Sequence, residues 1–333
     1  MDKKWLYYSS IREKRIIQNK INRIFHKKTV ASTELYSGRK VKDLLSTHEY
    51  IANKILDEKA FMVGRFGGTE MKAIYSYLRA EHFPYINDRK LRISNLCELS
   101  GFFPNDVSLG KNFVDMMLRD TAELDMCAVW NDMFMEDYVL DVYAPKCELT
   151  LLGSLEPWQV VNFNGQTKIK PWTSALKGKK VLVIHPFEQS IRYQYDNNRE
   201  KIFERICVAD DILPEFELIT LKAVQTLNCN IEGYDFDNWF NALDYMLEKC
   251  HTIDFDIAII GCGAYGFPIA AEIKRMGKGA IIFGGGVQLI FGITGKRWED
   301  MGMLDNMINS YWIRPNDSEK IKSASKIENE CYW

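Results

Sequence analysis

Two apolar rhythms alternate along this chain from residue 61 onward. Short, near-continuous apolar runs at 61–66, 126–130, 148–153, 180–185, 217–221, 255–260 and 279–284 predict strands. Runs without polar alternation suit a sheet that is covered on both faces. Helical faces lie between them: Trp239, Phe240, Leu243, Met246, Leu247 and Cys250 recur at helical spacing, with Asp235 or Asp237 as the expected cap. Ser46-Thr47-His48-Glu49 has the form of a capping box ahead of the helix leading into strand 61–66. The alternation predicts an α/β, Rossmann-like, mainly parallel sheet with helices on both faces. No internal repeat is visible.

The flanks read differently. Residues 1–30 hold nine Lys or Arg against two acids, interleaved with Trp5, Leu6, Tyr7, Ile11, Ile16, Ile17, Ile21, Ile24 and Phe25. The expected organisation is a basic amphipathic helical arm at 1–45, an α/β catalytic domain at 46–312 and a loose polar tail at 313–333. Two readings of the arm stay open: a helix packed on its own domain, or peripheral contact with an anionic membrane or a partner.

Composition narrows the classes. The 333 residues can hold one large domain or two small ones, and 47% hydrophobic with 26% charged residues is ordinary for a globular chain. A net charge of −2 gives no field for nucleic acid, so no nucleic-acid partner is expected. Eight cysteines are scattered without a C-x-x-C pair, which argues against structural zinc and for a reducing cytosol. No apolar run approaches the roughly 20 residues that span a bilayer. Charges at Asp2, Lys3 and Lys4 argue against a secretory signal. The expected location is cytoplasmic, at the inner face of a membrane if the arm binds lipid.

Ligands of such sheets gather beyond the carboxyl ends of the strands. The most informative of these ends is Gly261-Cys262-Gly263-Ala264-Tyr265-Gly266, which follows strand 255–260 and precedes a helix with Pro268 near its start. Glycines admit close backbone approach, and a helix N-terminus favours phosphate. A dinucleotide site also wants an acid roughly 20 residues on. That stretch is Ala280-Ile281-Ile282-Phe283-Gly284-Gly285-Gly286, which counts against NAD. A β-carbon at Gly263 is expected to intrude on a bound diphosphate; a tight strand-to-helix turn with no ligand is the plainer reading.

Four further neighbourhoods offer chemistry. Arg65-Phe66-Gly67-Gly68-Thr69-Glu70 places a cation, a glycine turn and a carboxylate after strand 61–66. His185, Glu188 and Arg192 give a candidate base, acid and cation after strand 180–185, with Tyr193 and Tyr195 nearby. Lys222 suits a diphosphate, and Gln225 and Thr226 suit sugar hydroxyls; a solvated lysine is the alternative. Gly284-Gly285-Gly286 and Gln288, then Lys296, Arg297 and Trp298, can form a phosphate clamp or an exposed charged loop. Trp130, Glu136, Glu156, Trp158 and Trp172 stand near strand ends, where they can line a ligand groove or simply fill core. The expected catalytic set is Glu70, His185 and Glu188. The expected cofactor-binding set is Arg65, Gly67, Gly68, Thr69, Arg192, Lys222, Gln225, Gly261, Gly263, Tyr265, Gly285, Gln288, Lys296 and Arg297.

At Arg65-Phe66-Gly67-Gly68-Thr69-Glu70 the chain resembles the GT-D class of bacterial glycosyltransferases, whose Arg-Phe-Gly-Asp-Gly-Glu-like motif follows the first strand of a Rossmann-like sheet. The glycine-rich turn at Gly261–Gly266 is also similar to one in the C-terminal part of such proteins. Carried over residue by residue, the resemblance gives Arg65 and Glu70. The family's aspartate is Gly68 here, which removes a metal-linked side chain and leaves dependence on a divalent metal open. The resemblance implies a nucleotide-sugar donor, a UDP-sugar first, a glycan or glycolipid acceptor, and a role in surface or capsular polysaccharide synthesis. Two other classes remain: a NAD- or SAM-dependent Rossmann enzyme, and a non-catalytic nucleotide-binding protein of polysaccharide assembly.

Overall fold

A computed structural model describes residues 2–24, 35–130, 134–161, 170–207, 209–231, 233–302, 304 and 306–320. Among these, nine strands form one sheet: β1 (Leu35–Tyr36), β2 (Arg39–Lys42), β3 (Phe61–Gly64), β4 (Met126–Val129), β5 (Glu148–Leu151), β6 (Lys180–His185), β7 (Glu217–Lys222), β8 (Ile257–Ile260) and β9 (Gly279–Ile282). Their order is β1-β2-β5-β4-β3-β9-β8-β6-β7. β1 pairs antiparallel with β2, and every other pairing is parallel. The expected α/β sheet is the observed one.

Each strand splits its side chains between two cores, as the two-residue period requires. Met62, Cys127, Leu182, Ile184, Ile260 and Ile282 enter one core, beneath the helices Gly68–His82, Val107–Thr121, Trp239–Thr252 and Gly266–Arg275. Val63, Ala128, Val181, Val183, Ile259 and Ile281 enter the other, with the helices Leu44–Leu56 and Glu188–Asn198 and the segment 286–313. Burial on both faces explains why the strands read as unbroken apolar runs.

The differences from expectation lie at element ends and flanks. Several strands stop one or two residues early, because the chain there turns into the loops of the carboxyl edge; β9 ends before Gly284, whose φ is +58°. The sheet starts inside the expected arm: β2 pairs with β5 through Val41↔Leu149 and Lys42↔Thr150. A strand reading Arg-Lys-Val-Lys carries a single apolar residue, so periodicity does not reveal it. The capping box at Ser46 is not used as one. That helix begins at Leu44, and Asp43 caps it by accepting from the Ser46 N–H. Asn238, not Asp235 or Asp237, caps Trp239–Thr252.

The arm packs on the domain. Its helix Lys3–Ile24 buries Trp5, which stacks on His82 at 4.4 Å and meets Tyr138 edge-on at 5.2 Å. Phe25 lies outside the described residues. The polar C-terminal segment is also docked as far as residue 320, contrary to a loose tail. Ile313 bridges to Ile293, and the buried Glu319 accepts from the Gln189 and Ser190 amides and the Ser190 hydroxyl. A carboxylate at the start of Glu188–Asn198 satisfies amides that the helix itself cannot. The tail beyond 320 lies outside the described residues.

Candidate active site

Strand order places the site. β6 continues to its right-hand neighbour β7, whereas β8 continues leftward to β9, so the chain diverges between β6 and β8. Crevices at such switch points are where ligands of α/β sheets bind. A cavity of about 320 Å³ opens at the carboxyl edge, beyond β3, β4, β6, β8 and β9. It is lined by Arg65, Gly67, Gly68, Thr69, Glu70, Gln225, Gly261, Gly263, Tyr265, Gly285, Gln288, Arg297 and His185. These come from all five neighbourhoods of the sequence. Glu188, Arg192, Lys222 and Lys296 do not line it. Glu188 accepts from the Thr220 hydroxyl at 2.8 Å, and Arg192 donates to the same oxygen at 3.0 Å, so both are turned along β7. Lys222 and Lys296 are exposed.

At the end of β3 the chain enters the helix Gly68–His82 through Gly67. Glu70 folds back over that first turn. A β-carbon on Gly67 would stand 1.9 Å from a Glu70 carboxylate oxygen, so only glycine leaves room for it. The carboxylate is buried and accepts from the Thr69 hydroxyl at 2.9 Å. Thr69 in turn meets the Ser100 hydroxyl. Arg65 leans over the Trp130 ring at 5.5 Å and packs against the backbone of Gly284, where a β-carbon would come within 2.5 Å of its guanidinium. The indole N–H of Trp130 donates to Phe66 O at 2.8 Å, and its backbone N–H donates to Glu136 at 2.9 Å. The ring is thereby held as a fixed plate, 44% exposed, at the cavity wall.

The second glycine turn serves the chain itself. A β-carbon on Gly261 would lie 2.5 Å from Gly284 O and 2.8 Å from the His185 ring, so this glycine lets the ends of β6, β8 and β9 converge. Gly263 has φ +60° and stands against Ser100 O, at 3.1 Å from a built β-carbon. Tyr265 is buried and stacks on Trp239 at 4.8 Å, and its hydroxyl meets that of Thr226 at 2.8 Å. Burial raises its pKa far above the ordinary value, so it remains a neutral brace. Gln288 donates to Ile293 O and Thr294 O, holding the turn that carries Arg297.

His185 departs from the role of base. Its Nδ1 accepts from the Phe187 amide at 3.0 Å, which leaves the neutral ring's proton on Nε2. Burial pushes its pKa down to about 3. The imidazole is neutral with its open lone pair already used, so it can offer the cavity a donated N–H but cannot take a proton there.

The charge balance is uneven. Arg65, Lys72 and Arg297 line the cavity against one carboxylate, Glu70. This favours an anion of more than one charge, such as a diphosphate. Among the described residues, Glu70 is the single acidic side chain of the lining, and no group of three or more His, Cys, Asp or Glu is placed to hold a metal ion. Lys72 was not anticipated, although it lies one helical turn after Gly68 on the same face, a spacing that can be read from sequence. Ser100 and Gly101 were also missed. They arrive from the end of the helix Arg89–Ser100, and nothing local marks them. Of the tryptophans and acids considered for a ligand groove, only Trp130 lines the cavity. Trp158 and Trp172 are core, Glu156 bonds Trp158 and Gln159, and Glu136 is buried behind Trp130.

Together these features define an α/β protein with a cation-rich cavity at its switch point. Two solved structures resemble the chain. One is described as the selenomethionine-substituted structure of domain of unknown function 1792 (DUF1792), at 14% identity and a TM-score of 0.39, covering 79% of this chain and 82% of the other. The second is described in the words that the highly conserved domain of unknown function 1792 has a distinct glycosyltransferase fold; it matches at 13% identity and a TM-score of 0.38, over 79% and 82% of the two chains. No protein-family model and no curated protein sequence matches the chain. Likeness this distant transfers no chemistry, and the site stands on its own geometry.

Proposed function

We propose that this protein is a glycosyltransferase that moves a sugar from a nucleotide-sugar donor, a UDP-sugar first, to a hydroxyl of a glycan or glycolipid acceptor in surface-polysaccharide synthesis. One observation carries the reading: Arg65, Lys72 and Arg297 share a cavity with the lone carboxylate Glu70 at the carboxyl edge of a parallel sheet. The resemblance of Arg65–Glu70 to the GT-D motif supports it. In this reading the acceptor oxygen bonds to the anomeric carbon, and the bond from that carbon to the diphosphate breaks. The electron pair leaves on the diphosphate, where the three cations stabilise it. Glu70 accepts the proton of the acceptor hydroxyl. His185 donates its Nε2–H to a ligand oxygen, and Trp130 offers a face to a base or sugar ring.

Ligands that bind only the folded state raise its melting temperature. UDP, GDP, CDP and ADP are compared with NAD and S-adenosylmethionine in a thermal-shift series. A shift from a nucleoside diphosphate supports the reading. A shift from NAD or S-adenosylmethionine alone overturns it. Nucleotide-sugar turnover, read as released diphosphate, then separates an enzyme from a binding protein.

A further inference from the structure

The helix Lys3–Ile24 has apolar residues on two opposite faces, and the fold uses only one. Trp5 and Tyr8 are buried in the domain, and Arg15 ties the same side down through Asp137 and Ser37. The opposite side follows the helical repeat through Lys3, Leu6, Tyr7, Lys14, Ile17 and Ile21. Four of these are large apolar side chains left open: Leu6 is 48%, Tyr7 57%, Ile17 57% and Ile21 41% exposed. Scattered exposed apolar groups are ordinary, but here two pairs, Leu6 with Tyr7 and Ile17 with Ile21, share one face at opposite ends of the helix, with Ser10 and Lys14 between them.

Charge says what covers this face. Lys3 and Lys14 stand within it and Lys20 beside it; all three are exposed and make no ion pair among the described residues. Residues 1–30 carry nine Lys or Arg and two acids, while the whole chain is at −2, so everything after the arm is net acidic. Positive charge is therefore concentrated in the first segment of the chain, on the helix that also bears the open apolar residues. A second copy of the same face would set lysine against lysine. A surface that is anionic outside and apolar beneath satisfies both features.

We propose that the outward face of Lys3–Ile24 binds an anionic lipid bilayer, with Leu6, Ile17 and Ile21 entering the headgroup boundary and Lys3, Lys14 and Lys20 at the phosphates. The helix lies in the interface and does not cross it, since no helix among the described residues is long and apolar enough to span a membrane. The inference is independent of the transferase reading.

The full chain is sedimented with vesicles of phosphatidylcholine alone and with vesicles containing about 30% phosphatidylglycerol, a content that supplies a negative surface. Binding is expected on the anionic vesicles and is expected to weaken as salt rises. Each basic residue at such a surface contributes about fivefold, so Lys3→Gln, Lys14→Gln and Lys20→Gln together should lower partition by about a hundredfold. Leu6→Ser, Ile17→Ser and Ile21→Ser together should lower it by about tenfold or more, with melting temperature retained because these groups are exposed. Absence of binding to anionic vesicles overturns the proposal, as does equal binding to the zwitterionic ones. A dimer in light scattering that the serine variants dissociate, without vesicle binding, assigns the face to a second copy and also overturns it.

Discussion

After β3 and after β8 the chain makes the same move: a strand ends, glycines follow, and a helix begins. In sequence the second turn, with its Gly-x-Gly-x-x-Gly spacing, looks the more functional. In the structure the roles divide the other way. Gly67 is required because the Glu70 carboxylate occupies the space a β-carbon would fill. Gly261 and Gly263 are required because His185, Gly284 and Ser100 come close, and because φ is +60° at Gly263. The first turn makes room for the Glu70 carboxylate; the second makes room for the end of β9, the His185 ring and Ser100. A glycine pattern reports that something stands near the backbone, and only the tertiary neighbours say what.

The sharpest test of this contrast is Glu70→Gln. It keeps shape and the Thr69 contact, so folding should persist while turnover falls by about 100-fold or more, the scale of a lost proton acceptor. A folded variant with near-normal turnover would remove Glu70 from the chemistry. Gly67→Ala should approach the same loss, because its β-carbon displaces the carboxylate, while the change in stability stays near about 0.5–1 kcal/mol for a substituted N-cap glycine. Calorimetry with steady-state assays on both variants checks the pairing.

Gly263→Ala should show the opposite signature. An L-residue forced into the left-handed region costs about 1–2 kcal/mol. Denaturant unfolding should register that loss, while nucleoside diphosphate affinity in the folded protein stays within about twofold. Weakened affinity with unchanged stability would mean that the second turn contacts ligand after all, and the contrast would collapse.

Acid provides a gentler probe. His185 and His48 are both buried neutral, with pKa values depressed to about 3 and about 4. Their folded values lie below the unfolded value, so the unfolded chain binds protons first as pH falls. Stability is therefore full above about pH 6.5 and is lost progressively below it. The two together predict a loss of about 2 kcal/mol between pH 6.5 and 5.5. His185→Asn should halve that loss; an unchanged slope would show that His185 is not held neutral. The smallest expected effect is that of a chelator, since the described lining residues offer three cations and one carboxylate. Turnover in excess chelator should stay within about twofold. Complete, reversible loss would require a metal held by Glu70.

The arrangement of the site was partly legible. Thr69, Glu70 and Gln225 were marked by places just beyond predicted strands, Arg65 by the end of one, and Arg297 by following the glycine cluster; the cavity gathers all five. Glu188 and Arg192 had the same kind of mark and do not line the cavity, because Thr220 on the neighbouring strand draws both aside. Lys222 was marked by the same rule and points to solvent. Position at a strand end limits where a side chain starts; where it finishes depends on the strand beside it.

Sequence alone determined what local periodicity and chemistry can carry. Unbroken apolar runs required a sheet buried on both faces, and their alternation with helical faces required parallel strands. A basic, apolar N-terminal helix was equally plain. Tertiary structure decided strand order, and with it which loops meet. It drew β2 into the sheet despite a polar sequence, because β1 and β5 satisfy its backbone on either side and only Val41 is buried. It turned His185 from a candidate base into a donor, through one amide two residues away. It also divided the glycines between a carboxylate and the chain's own strands, because a missing β-carbon has meaning only once its neighbours are in place.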